Sequence, residues 1–252
     1  MSGPLSGIRV IEMAGIGPAP YACMLLADLG AEVIRIDRAS GGGVGANPGD
    51  VTARGRQSIA LDLKKPEAVD VVLQLLDNAD VLIECFRPGV MEKLGLGPEV
   101  CAQRNPRLVY GRMTGWGQDG PLAKIAAHDL NYIAITGLLD SFGNPNEAPP
   151  VPLNVIGDLG GGSMFLLLGI LSALLERHQS GRGQVVDAAI CDGAISLLST
   201  IHGLKGIGFW ENQREQNLLD GGAPYYRNYL CKDGRSVSVG AVEPHFYAQL
   251  LD

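Results

Sequence analysis

Three things are scarce in this sequence, and each scarcity excludes something. Basic charge is scarce: 20 Lys and Arg stand against 27 Asp and Glu, for a net charge of −7. That argues against a nucleic-acid partner, which would need a basic face. Paired cysteines are missing. The five present (Cys23, Cys85, Cys101, Cys191, Cys231) are odd in number and lack metal-type CxxC spacing. They read as reduced thiols of an intracellular protein with no metal site, and a cytoplasmic location is the default expectation. A secretory leader is also missing. No basic n-region opens the chain, and Gly15, Gly17, Pro18 and Pro20 interrupt the place of an apolar h-region. The longest apolar run, 164–175, is too short to span a bilayer comfortably and reads as a buried helix, so no membrane partner is expected.

What is present is glycine, 35 residues of it, which points to many tight strand-to-helix turns. The chain is long enough for one large domain or two smaller ones with a sizeable core. Short apolar runs at 8–13, 32–36, 58–63, 81–84, 108–113 and 184–188 read as strands. Helical patterns at 21–29, 66–77, 98–104, 129–137, 160–177 and 192–204 alternate with them. The alternation predicts α/β architecture, with βαβ units on a largely parallel sheet. From about Trp210 the texture changes to clustered tyrosines, Gly222, Gly234 and Gly240, and a short alternating strand at 236–239. A boundary to a smaller unit is expected near 206–217. The sequence stops inside an apolar helix that begins near Pro244, which reads as a fragment.

The chemistry-bearing stretches are His128-Asp129-Leu130-Asn131-Tyr132 and Asn154-Val155-Ile156-Gly157-Asp158. The first places an imidazole at an expected helix start. The second places a carboxylate before a Gly-rich turn and a long apolar helix. A proton donor and a proton acceptor at two helix N-termini are what a carbon-acid enzyme needs. The alternative is that Asp129 and Asp158 are only N-caps. Gly15 and Gly17, with Asp37 some twenty residues on, nearly match a dinucleotide fingerprint. Pro20 stands where its third glycine belongs, which argues against a nicotinamide cofactor. Arg35, Arg38, Arg54, Arg56, Lys64, Arg87 and Lys93 fall near strand ends and loops. They form either an anion pocket or a rim neutralised by carboxylates.

Several ordered segments resemble the class III CoA-transferase superfamily. They are Ala14-Gly15-Ile16-Gly17-Pro18, the ten residues from Leu29 to Arg38, the twelve from Arg87 to Pro98, Met113-Thr114-Gly115-Trp116-Gly117-Gln118, and Gly181-Arg182-Gly183-Gln184-Val185-Val186-Asp187. The stretch from His128 to Tyr132 and the stretch from Leu219 to Tyr226 are similar to its α-methylacyl-CoA racemase branch. The resemblance runs from about Gly3 to Tyr247. It implies a Rossmann-like large domain over 1–205, then a linker and the beginning of a smaller α+β domain over 206–252, in an interlocked homodimer. A C-terminal third that completes the small domain in that family is not in this sequence.

The resemblance also implies an enzyme that epimerises the carbon next to an acyl-CoA thioester, with no metal or redox cofactor. His128, with Glu243 orienting it, is assigned to one face of that carbon and Asp158 to the other. The backbone N–H of Asp129 is expected to meet the thioester oxygen as the enolate forms. Arg38, Leu61, Leu63, Lys64, Cys85, Phe86, Arg87 and Lys93 fall on positions that hold the CoA nucleotide end. Ile16, Met113 and Tyr226 are expected to line an adaptable acyl pocket. Ala127 and Lys93 depart from the pattern, which favours Gly and Arg there. Two other outcomes fit the same resemblance: a CoA-transferase using Asp158 as nucleophile, and an inactive fragment.

Overall fold

The structure is a computed structural model that describes residues 3–40 and 49–252. Most of the expected Gly-rich loop at 40–49 lies outside the described residues. Strands β1 (Arg9–Met13), β2 (Glu32–Arg38), β3 (Arg56–Leu61), β4 (Val81–Glu84), β5 (Val109–Thr114) and β6 (Val185–Ala189) form one parallel sheet in the order β3-β2-β1-β4-β5-β6. The order reverses between β1 and β4. In open α/β sheets that reversal opens a crevice at the carboxyl ends of the strands.

Helices cover both faces. Helix α1 (Pro18–Asp28) packs on one side, with Val10, Cys23, Leu26 and Val33 in a continuous core. Helix α2 (Pro66–Leu76), the short α3 (Val90–Lys93) and α4 (Pro98–Arg104) cover the other side, over Ile11, Met13, Leu82 and Tyr110. Three of these four helices carry Pro in the first turn, where its missing N–H costs nothing. Two carboxylates enter the sheet itself. Glu12 on β1 is fully buried and meets Arg56 and Arg35. Glu84, ending β4, receives Arg112 at 3.1 Å.

After α5 (Asp129–Ile135) the chain reaches the long apolar segment, and here the structure differs from the expected helix at 160–177. A π-helical stretch, Val155–Ser163, runs directly into α6 (Met164–Ser180). Asp158 therefore lies inside a helical turn rather than ahead of one. The glycines read as a turn signal serve packing instead. Gly161 backs onto α7 (Ile190–Leu197), and a Cβ on Gly193 would collide with the Gly161 carbonyl. The combined stretch Val155–Ser180 is apolar and long enough to cross a membrane by composition, but Leu166, Ile170 and Ala173 bury one face of it in the core. Arg177 closes its far end with a part-buried ion pair to Asp80 at 2.7 Å.

The expected helix at 192–204 is two, α7 and α8 (Ser199–Gly206), broken at Leu198. Beyond them a two-stranded antiparallel hairpin, β7 (Tyr226–Leu230) and β8 (Ser236–Gly240), precedes α9 (Pro244–Leu251).

Candidate active site

The carboxyl ends of β1, β4 and β5 and the N-terminus of α5 meet around a cleft of about 320 Å³. Ile16 and Gly17 enter from the turn after β1, Cys85, Phe86 and Arg87 from the turn after β4, and Met113 to Trp116 from the end of β5. His128 and Asp158 both line it. The sheet thus gathers onto one cleft residues separated by more than a hundred positions.

His128 is the N-cap of α5, and its backbone N–H donates to Asn131 Oδ1 at 3.1 Å. The loop before it is braced by two aromatic groups. Tyr132 donates its hydroxyl to the Ala127 carbonyl at 2.7 Å. Trp116 donates Nε1 to the Ile125 carbonyl at 3.1 Å. The two rings meet edge to face with centroids 4.7 Å apart, a favoured aromatic geometry. Gly115 is required there, because a Cβ would strike the Tyr132 ring.

Asp158 Oδ2 accepts from Asn154 Nδ2 at 3.3 Å and faces Gly17. Gly17 has φ +71°, which suits glycine, and the missing Cβ leaves room for the carboxylate. Burial pushes the Asp158 carboxyl above the ordinary carboxylate range. The nearby Asp129 charge adds to the rise, while the Asn154 hydrogen bond and the His128 charge oppose it. Asp129 is N1 of α5 rather than the cap, and it too is pushed up by burial. Its own backbone N–H has no acceptor among the described residues, as at any helix N1 position.

The cations are divided between two roles. Arg35, Arg54 and Arg56 are spoken for by Glu12, Asp37 and Asp28, so the neutralised-rim alternative describes these three. Asp37 engages Arg35 at 3.0 Å. Arg38, Lys64, Arg87 and Lys93 form no ion pair among the described residues. Arg38 pairs with Leu61 in register at the last residues of β2 and β3. Arg87 follows β4, and Lys93 ends α3. Cations with no ion-pair partner among the described residues, set along the carboxyl edge of a parallel sheet, suit a phosphorylated ligand. Leu61, Leu63 and Phe86 pack their apolar surface against the core beneath α2.

Not every expected residue reaches the cleft. Of the residues read from sequence, His128, Asp158, Ile16, Met113, Cys85, Phe86 and Arg87 line it. Arg38, Leu61, Leu63, Lys64, Lys93 and Asp129 do not. Tyr226 stands apart from Ile16 and Met113, in a second cleft between the β7–β8 hairpin and α7–α8. Glu243 is the N-cap of α9 and does not line the cleft that holds His128. Tyr132, Trp116 and Asn154 stand inside the motifs read from sequence, but sequence reasoning gave none of them a role of its own. Asn154 carries a signal after the fact, since it stands four positions before Asp158, one helical turn away.

A parallel sheet with this strand order and a cleft at its reversal point defines a Rossmann-like α/β protein. A profile of CoA-transferase family III matches residues 5–252, and the chain belongs to that family. It is 49% identical to the α-methylacyl-CoA racemase of Mus musculus over 98% of this chain, and 45% identical to that of Homo sapiens over 98%. It spans 64% of the length of each. Among solved structures, a CaiB/BaiF family protein from Brucella suis superposes with a TM-score of 0.81 at 28% identity, covering 93% of this chain and 65% of that one.

Proposed function

We propose that this protein interconverts the R and S epimers of 2-methylacyl-CoA thioesters. One observation carries the reading: an imidazole and a carboxyl of raised pKa line the same cleft, each on its own element. Two similar racemases lend their chemistry to it.

Neutral His128 takes the α-proton, and the C–H electron pair moves into the thioester as an enolate. Protonated Asp158 returns a proton to the opposite face, leaving the inverted epimer, an imidazolium and a carboxylate. The reverse direction exchanges the roles. Burial of Asp158 helps, because a carboxyl that holds its proton closer to neutral pH is a competent acid. The charge on the enolate oxygen needs a donor, and preorganised donors commonly supply the largest catalytic contribution. The free N–H of Asp129 is suited to that task. Arg38, Arg87, Lys64 and Lys93 hold the CoA phosphates, and Ile16 and Met113 face the acyl chain. The reaction asks for no cofactor beyond the CoA of the substrate.

The working form is an interlocked homodimer in a reducing, cytoplasmic setting. Leu168, Leu175 and Phe209, each more than 60% exposed, favour a covering partner copy. Five unpaired cysteines favour the reducing compartment.

The test is incubation with one epimer of a 2-methylacyl-CoA in deuterated water. Uptake of α-deuterium together with formation of the other epimer is expected. A CoA adduct trapped on Asp158 without epimerisation would instead identify a CoA-transferase.

A further inference from the structure

Asp129 is only 8% exposed, follows His128 in sequence, and reaches across to a different element. Its Oδ1 accepts the backbone N–H of Asp158 at 2.6 Å, and the N–H of Gly157 acts on the same carboxylate. The backbones of both candidate bases are therefore joined through one side chain. A first-turn aspartate ordinarily serves its own helix. Here Asn131 serves the His128 N–H instead, which leaves Asp129 to the π-helical turn. The space around the contact is closed. A Cβ on Gly157 would collide with Asp129 Oδ1 and come within 2.9 Å of Ile133 Cγ2. Ile133 is fully buried and anchors α5 in a cluster with Ala194 and Leu198.

We propose that the Asp129 carboxylate is a positioning group that clamps the π-helical turn to α5 and so fixes the separation of His128 and Asp158 across the substrate carbon. This role rests on the two-base reading above and is distinct from that of the Asp129 backbone N–H. A π-helical turn is rare and tends to occur at functional sites, and here it is the turn that the Asp129 carboxylate holds. The tether acts through hydrogen-bond acceptance, which an amide oxygen can also provide.

Two readouts test it, one kinetic and one structural. Deuterium exchange at the α-carbon with retention needs only the base on the proton's own face, whereas epimerisation needs both. Misplacing one base by about 1 Å can cost roughly 100-fold. In Asp129→Ala, with a single-epimer 2-methylacyl-CoA in deuterated water, the ratio of retained exchange to epimerisation is expected to rise at least about tenfold for the epimer whose proton faces His128. Gly157→Ala, which drives the carboxylate away without removing it, is expected to do the same, and Asp129→Asn to stay near the parent ratio. An unchanged ratio in both Asp129→Ala and Gly157→Ala would overturn the clamp, as would an Asn variant as impaired as the Ala one. Independently of turnover, backbone hydrogen exchange at Gly157 and Asp158 is expected to accelerate in Asp129→Ala and not in Asp129→Asn. Unchanged exchange there would also overturn the clamp. Faster exchange there, in a protein whose unsubstituted form neither exchanges nor epimerises the thioester, would uphold the clamp and reject the racemase reading alone.

Discussion

Replacing Glu84 by Gln changes how stability depends on pH, and the structure sets the size of the change. Glu84 is 1% exposed at the end of β4, where Oε2 accepts the Phe86 N–H at 2.7 Å and Oε1 receives Arg112 at 3.1 Å. Arg112 also reaches Glu92 at 2.9 Å, so its charge is shared between two carboxylates. Burial wins, and the Glu84 carboxyl is pushed from 4.5 up to about 7. An acid whose pKa rises on folding binds its proton more tightly in the native state. Its contribution is therefore most favourable below pH 4.5 and is lost as pH climbs through 7. A rise of that size corresponds to about 3 kcal/mol, with a steepest slope of about 1.4 kcal/mol per pH unit. Gln does not titrate, so the Glu84→Gln variant lacks this slope. Urea unfolding of both proteins from pH 4.5 to 7.5 gives the comparison. The stability of the parent minus that of the variant should fall by up to about 3 kcal/mol across the window. A flat difference, or one that rises with pH, would show that Arg112 keeps Glu84 ionised throughout and would refute the argument.

Two further perturbations probe the frame of the site. Gly193→Ala drives a methyl into the Gly161 carbonyl and should destabilise the fold by roughly 1–3 kcal/mol, read as a lower urea midpoint at constant m. Burial pushes the Cys85 thiol up to about 12 and the Cys191 thiol up to about 11, whereas Cys231 is exposed. Alkylation by iodoacetamide at pH 8 should therefore modify Cys231 first, followed by mass spectrometry of the digested protein, and early modification of Cys85 would contradict its burial.

The sheet was legible because its strands are short runs of β-branched and aliphatic residues bounded by turn signals, and the alternation with helices dictates parallel pairing. Glu12 did not announce itself, because a buried carboxylate in an apolar run depends on Arg56, which arrives from 44 positions away. The π-helical turn was hidden for a related reason. Glycines 160–162 have low helix propensity, and it is the close approach of α7, with Pro18 of α1 against Gly162, that leaves no room for a side chain there. The break at Leu198 has no glycine or proline to mark it. His128 and Asp158 could be named from local pattern, and the carboxyl edge of the sheet brings them to one cleft. Tyr226 and Glu243 were expected at the site from the resemblance and not from local pattern, and the hairpin and α9 that carry them bury no residue in the core.

The two-base mechanism makes its sharpest prediction about which half of the reaction survives when one base is lost. Each epimer of a 2-methylacyl-CoA would be incubated separately in deuterated water with the Asp158→Asn and His128→Gln variants, following retained exchange and inversion together. Two bases on opposite faces predict that inversion is lost in both variants, while Asp158→Asn still exchanges one epimer and His128→Gln the other. Inversion at the parent rate in Asp158→Asn would contradict the mechanism.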